Sequence, residues 1–105
     1  MTPKRIQLTI LLLAGLWSVP AHAADIQITI EKLVYAPAEV SAEVGDTIEW
    51  VNKDVLAHTA TARTGDWDVK IGPNKTVRMV LRKPGDVDYY CKFHPNMKAH
   101  ITIAD

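Results

Sequence analysis

From Ile26 onward the chain alternates. Ile26, Ile28 and Ile30 are separated by Gln27 and Thr29 and followed by Glu31. A period of two marks a strand with one buried face. The pattern recurs at Val40, Ala42 and Val44, with Ser41 and Glu43 between them, and resumes after a Gly45-Asp46 turn in Thr47-Ile48-Glu49-Trp50-Val51. Trp67-Asp68-Val69-Lys70-Ile71 predicts another strand, closed by Gly72-Pro73-Asn74. Val77, Met79 and Leu81 share one face of the next, and Lys83-Pro84-Gly85-Asp86 is a turn signal. Val87, Tyr89 and Cys91 then share an inward face, and His100-Ile101-Thr102-Ile103 closes the chain. No long window carries a helical period. Six or seven short strands between Gly/Pro turns predict an all-β fold, an antiparallel sandwich or barrel. Trp50, Trp67 and Met79 read as packing within it.

Residues 1–23 are different. Lys4 and Arg5 make a charged start, Ile6 to Trp17 is mostly apolar, and Ser18-Val19-Pro20-Ala21-His22-Ala23 is a short exit ending in Ala-x-Ala. This is the layout of a secretory signal peptide cleaved after Ala23. A membrane anchor fits less well, because the apolar run is short for about 30 Å of hydrocarbon. The exit has no cysteine for a lipid. The expected organisation is therefore a signal peptide at 1–23 and one domain at 24–105, exported to the periplasm with no stable membrane insertion after cleavage.

Composition narrows the function. The 105 residues hold 12 basic and 12 acidic side chains, and loss of Lys4 and Arg5 with the leader leaves a slightly acidic domain. That balance removes the usual argument for nucleic acid or an anionic membrane as partner. A single cysteine excludes an intramolecular disulfide framework and a Cys-rich zinc site. An unpaired thiol in an oxidising compartment is a liability unless something occupies it. A domain this small also gains from a metal staple.

The chemistry lies in Tyr90-Cys91-Lys92-Phe93-His94-Pro95-Asn96-Met97, a C-x-x-H-x-x-M run at a strand end. A thiolate, an imidazole and a thioether in one loop suit copper, since Cu(I) favours sulfur and Cu(II) accepts nitrogen and thiolate. The electron-transfer arrangement takes two imidazoles and a thiolate in a plane with a distant thioether on the axis. It needs a second histidine, and His58 and His100 are the candidates. His58 is favoured, in a loop after the strand ending at Val51. His100 belongs to the last strand and projects away.

With these residues in view, the chain resembles the blue copper, or cupredoxin, family, nearest in loop spacing to its amicyanin type. The matching stretches are Val44-Gly45-Asp46-Thr47-Ile48-Glu49-Trp50-Val51-Asn52, Ala57-His58-Thr59, Pro84 to Cys91, and the short loop from Cys91 to Met97-Lys98. The resemblance implies a small antiparallel Greek-key β-sandwich holding one type 1 copper. Its ligands are His58, Cys91 and His94, with Met97 as the weak axial donor. It implies electron transfer rather than enzyme catalysis, by a monomer serving redox proteins such as a c-type cytochrome and a periplasmic dehydrogenase. It also implies that His94 leaves Cu(I) and takes a proton as pH falls. Several positions depart from the family pattern. Thr59 stands where Asn is frequent, and its hydroxyl is expected to do part of the work of tying the ligand loops together. Phe93 stands for Pro, Val87 for Tyr and Ala99 for Gly. The alternative reading is an exported copper-binding or copper-delivery protein without a redox partner. Such proteins favour Met-rich open sites, and only Met79 and Met97 remain after the leader.

Overall fold

The computed structural model describes residues 22–105. The leader expected at 1–23 therefore lies, except for His22 and Ala23, outside the described residues. The elements are β1 (Asp25–Glu31), β2 (Val34–Ala36), β3 (Glu39–Glu43), β4 (Thr47–Asn52), β5 (His58–Ala62), β6 (Asp68–Ile71), β7 (Thr76–Val80), β8 (Gly85–Tyr90) and β9 (Lys98–Ala104). They form two sheets, ordered β2-β1-β4-β7 and β3-β9-β8-β5-β6. The sandwich is as expected, with two parallel pairings inside it, β1 with β4 and β3 with β9. The chain crosses between the sheets before β3, so strands remote in sequence become neighbours.

The alternating residues face one another across the sandwich. Ile28, Ile30, Ile48, Trp50, Ile71 and Ile101 are fully buried. Trp50 lies 5.6 Å from Trp67 and 5.8 Å from Tyr89 between ring centroids, and Tyr35 meets Tyr89 edge-on at 4.8 Å. Such tilted contacts satisfy the ring quadrupoles and add to the apolar burial. Val77 and Met79 pack against this core as half-buried residues.

Three details differ from the sequence reading. Val44 does not continue the buried face of Val40 and Ala42. It is exposed beyond the end of β3, where its N–H donates to the Ala104 carbonyl at 2.8 Å. His58 is not in a loop but opens β5, paired with Ile71. β2 follows β1 through a two-residue turn, Lys32-Leu33, with φ of 55° and 64°. Two successive left-handed residues are what a type I′ hairpin requires, a conformation that favours Asn-Gly. Asp54 accepts both turn N–H groups, from Lys32 at 2.7 Å and Leu33 at 3.1 Å. That remote carboxylate holds a turn the local sequence does not favour.

Candidate metal centre

β5 runs between β6 and β8 in the larger sheet. It starts at the end of the sandwich where β8 stops, so His58 and Cys91 arrive at the same place from antiparallel strands. Beyond Cys91 the chain turns back on itself. The His94 N–H donates to the Cys91 carbonyl at 3.2 Å, Met97 N–H to the His94 carbonyl at 2.8 Å, and Cys91 N–H to the Met97 carbonyl at 3.2 Å. These bonds fix a short loop that presents His94 and returns the chain into β9.

The result is a three-donor cluster. Cys91 Sγ lies 3.8 Å from His58 Nδ1 and 3.7 Å from His94 Nδ1. One ligand atom from each residue lies within 4.8 Å of the other two. Donors sharing one metal at bonds of about 2.0–2.3 Å stand about 3.5–3.8 Å apart, which matches the nitrogen–sulfur distances. His58 and Cys91 are fully buried, and His94 is half-buried. Met97 is buried at the loop's end, just before β9. His100 stands apart on β9, its ring held by Asp88 at 2.7 Å and Asp86 at 3.1 Å. Of the two candidates, His58 joins the cluster.

The surroundings suit a metal. His58 Nε2 is 2.8 Å from Asp54 Oδ2. An ionised carboxylate only accepts, so Nε2 carries the proton and Nδ1 keeps its lone pair. Burial pushes the Asp54 carboxyl up, but the Lys32 and Leu33 N–H groups and His58 outweigh this and hold it below the usual carboxylate range. The carboxylate in turn raises the donor strength of the ring. The Thr59 N–H donates to Cys91 Sγ at 3.3 Å. One soft anion with two neutral nitrogens is a donor set for copper.

Thr59 does what the sequence suggested. Its Oγ1 accepts the Lys92 N–H at 2.9 Å, joining β5 to the start of the ligand loop. Two partners escaped the sequence reading. Asp54 stands four residues before His58, a spacing that carries no signal outside a helix. Tyr35, on the other sheet, donates its hydroxyl to the Thr59 carbonyl. Burial raises the Tyr35 pKa, with the nearby Cys91 and Tyr89 adding to it, so the phenol stays a donor.

Around His94 the surface is apolar. Leu33, Phe93, His94 and Pro95 line a shallow hollow with Asn96 and Met97. Val34, at the start of β2, and Val55 and Leu56, between β4 and β5, are also exposed. A second hollow, between Trp67, Met79, Leu81 and Val87, lies toward the opposite pole and contains none of the three donors.

Comparison with known proteins agrees with this geometry. A family model described as Cupredoxin-like domain matches residues 5–103. The chain is 31% identical over 95 residues to amicyanin from Paracoccus versutus, covering 80% of this chain and 72% of that protein. The crystal structure of that amicyanin superposes with a TM-score of 0.65 at 28% identity, over 82% of this chain and 85% of its own. A copper-containing nitrite reductase from Thermus scotoductus matches with a TM-score of 0.69 at 26% identity, over 89% of this chain but only 26% of that larger one.

Proposed function

This chain belongs to the cupredoxin-like domain family, and on that premise we propose that it is a type 1 copper protein that carries single electrons between redox partners. The observation that supports this most is the buried Cys91 sulfur, flanked at 3.7 and 3.8 Å by two Nδ1 atoms and met by a backbone N–H. In this reading His58, Cys91 and His94 are the strong ligands and Met97 the weak axial one. Copper bound there supplies a one-electron Cu(II)/Cu(I) couple. The chain's task is to keep its donors still. Asp54 orients His58, Thr59 holds the sulfur, and three backbone bonds close the loop carrying His94. Donors fixed before the electron arrives need little rearrangement when it does.

We read the protein as a carrier rather than an enzyme. Two of its three donors are fully buried and the third, His94, meets only a shallow apolar hollow, and the nitrite reductase match covers only a small part of that enzyme. The electron exits along the half-exposed His94, within the apolar rim of Leu33, Phe93 and Pro95. A rim of this kind suits the brief, weak docking of redox pairs. A c-type cytochrome and a periplasmic dehydrogenase are the proposed partners, and the working state is a monomer. The protein is proposed to work in the periplasm, and one local contact is consistent with cleavage after Ala23. The Ala24 N–H donates to Asp46 Oδ1 at 2.8 Å. Cleavage after Ala23 turns this amide into an ammonium set directly on a carboxylate.

Adding Cu(II) to the purified protein tests the reading. An intense blue thiolate charge-transfer band with reversible reduction is expected, and Cys91→Ser abolishes it. A pale complex without thiolate character refutes the electron carrier and favours copper delivery. Absence of binding refutes the metal centre.

A further inference from the structure

The bond between β5 and the ligand loop is the first link of a longer chain leading away from the metal centre. The Lys92 N–H donates to Thr59 Oγ1 at 2.9 Å. Thr59 Oγ1 lies 2.9 Å from Thr61 Oγ1, and Thr61 Oγ1 lies 2.8 Å from Asp68 Oδ1. The other carboxylate oxygen accepts Lys92 Nζ at 2.6 Å. Thr59 and Thr61 are two apart on one face of β5, and Asp68 on β6 is the cross-strand partner of Thr61.

The direction of each bond follows from its ends. Hydrogen bonds from Lys92 and then Thr61 hold the Asp68 carboxyl below its usual range, so it stays ionised and only accepts. Thr61 must therefore donate to Asp68. Its lone pairs are then free to accept the Thr59 hydroxyl. Thr59, having given its one proton to Thr61, turns a lone pair toward the Lys92 N–H. Hydroxyls in such a chain polarise one another in the same sense. Without the carboxylate at its end, either hydroxyl can donate to the other, and nothing fixes which way the Thr59 proton points.

We propose that Asp68 and Thr61 are positioning residues for the Cys91 thiolate. They aim a lone pair of the Thr59 hydroxyl oxygen at the Lys92 N–H and so keep the sulfur under the Thr59 N–H. The proposal rests on the copper reading for its consequence, though not for its geometry. It also explains how threonine serves where the resemblance places asparagine. A side-chain amide carries its own fixed acceptor, whereas a hydroxyl has to be oriented.

The test uses Thr61→Val, which keeps the β-branched shape, and Asp68→Ala. In metal-free protein, each should speed hydrogen exchange of the Lys92 amide about three- to tenfold, the factor carried by one lost neutral hydrogen bond. In copper-loaded protein, each should move the reduction potential and the thiolate band in the same direction. A sulfur that loses its N–H donor gives more charge to Cu(II), so the potential falls. Asp68→Asn, which keeps an acceptor and loses the charge, should restore most of both readouts. In a Thr59→Asn background, Thr61→Val should be silent. Unchanged Lys92 exchange in both variants overturns the relay. So does an Asp68→Ala effect that Asp68→Asn reproduces in full, because charge alone then explains it. The exchange experiment needs no metal, so failure of the copper reading shows separately, as a wild-type protein without a blue band.

Discussion

Replacing Asp54 by Asn should raise the reduction potential and loosen copper. The side chain accepts three hydrogen bonds, from Lys32 N–H, Leu33 N–H and His58 Nε2–H, at 2.7, 3.1 and 2.8 Å. Oδ2 takes two of them, from Leu33 and His58. An amide offers one oxygen, so either His58 or Lys32 meets an NH2 group instead. Loss of a partner that orients a ligating histidine typically costs about 10- to 100-fold in metal affinity. The carboxylate's negative charge favours Cu(II) over Cu(I), so the loss should fall mainly on Cu(II). At about 59 mV per tenfold for one electron, the potential should rise by roughly 60–120 mV.

Voltammetry, with competition titrations for Cu(I) and Cu(II), measures this directly. The same substitution weakens the Lys32-Leu33 turn, and loss of a charged hydrogen bond there costs about 1.5–3 kcal/mol in metal-free protein. The two effects separate. Lys32→Asn with Leu33→Gly gives the turn residues that accept left-handed φ. Added to Asp54→Asn, this pair should recover much of the stability and none of the potential. A folded Asp54→Asn protein with an unchanged or lowered potential would refute the assignment of Asp54 as the partner that tunes His58.

Other predictions follow from single contacts. Asp88 first, then Asp86, raises the pKa of His100 above its usual 6.5. The stabilisation is therefore fully present below the unfolded value and fades as pH rises through the folded one. Urea unfolding should show the advantage of wild type over His100→Gln shrinking from pH 6 to pH 9; for so exposed a cluster it stays below about 1 kcal/mol, and a constant gap would count against the pairing. A chain beginning at Ala24 should be more stable, by about 1 kcal/mol, than one with two extra residues in front. The gain is the difference between a charge-assisted and a neutral hydrogen bond to Asp46, and Asp46→Asn should erase most of it in thermal melts. Tyr35→Phe keeps the ring against Tyr89 but removes the donor to the Thr59 carbonyl. It should lower metal-free stability by about 0.5–1.5 kcal/mol, and a neutral result would mean that this bond adds no net stability.

The parts legible in the sequence are those whose signal is local. β1, β4 and β8 show alternation because one face is buried and the other less so, as in the Ile26–Glu31 run. β5 showed none, because Thr59 and Ala60, on opposite faces, are both buried. Its small residues have the pattern of a loop, which hides the strand that His58 opens. β2 was invisible for another reason: its turn lacks Asn or Gly, and the force that holds it comes from Asp54, more than twenty residues away. The same division runs through the metal centre. Cys91 and His94, with Met97 in its proposed axial role, announce themselves by spacing, since one loop carries all three. The groups that aim them are remote in sequence: Thr59 lies 32 residues from the sulfur it meets, and Asp68 lies 24 from Lys92. A short motif can therefore identify the metal while leaving the reduction potential unread. The potential depends on which hydrogen bonds reach His58 and Cys91, and those are decided by the register of β5 against β6 and β8.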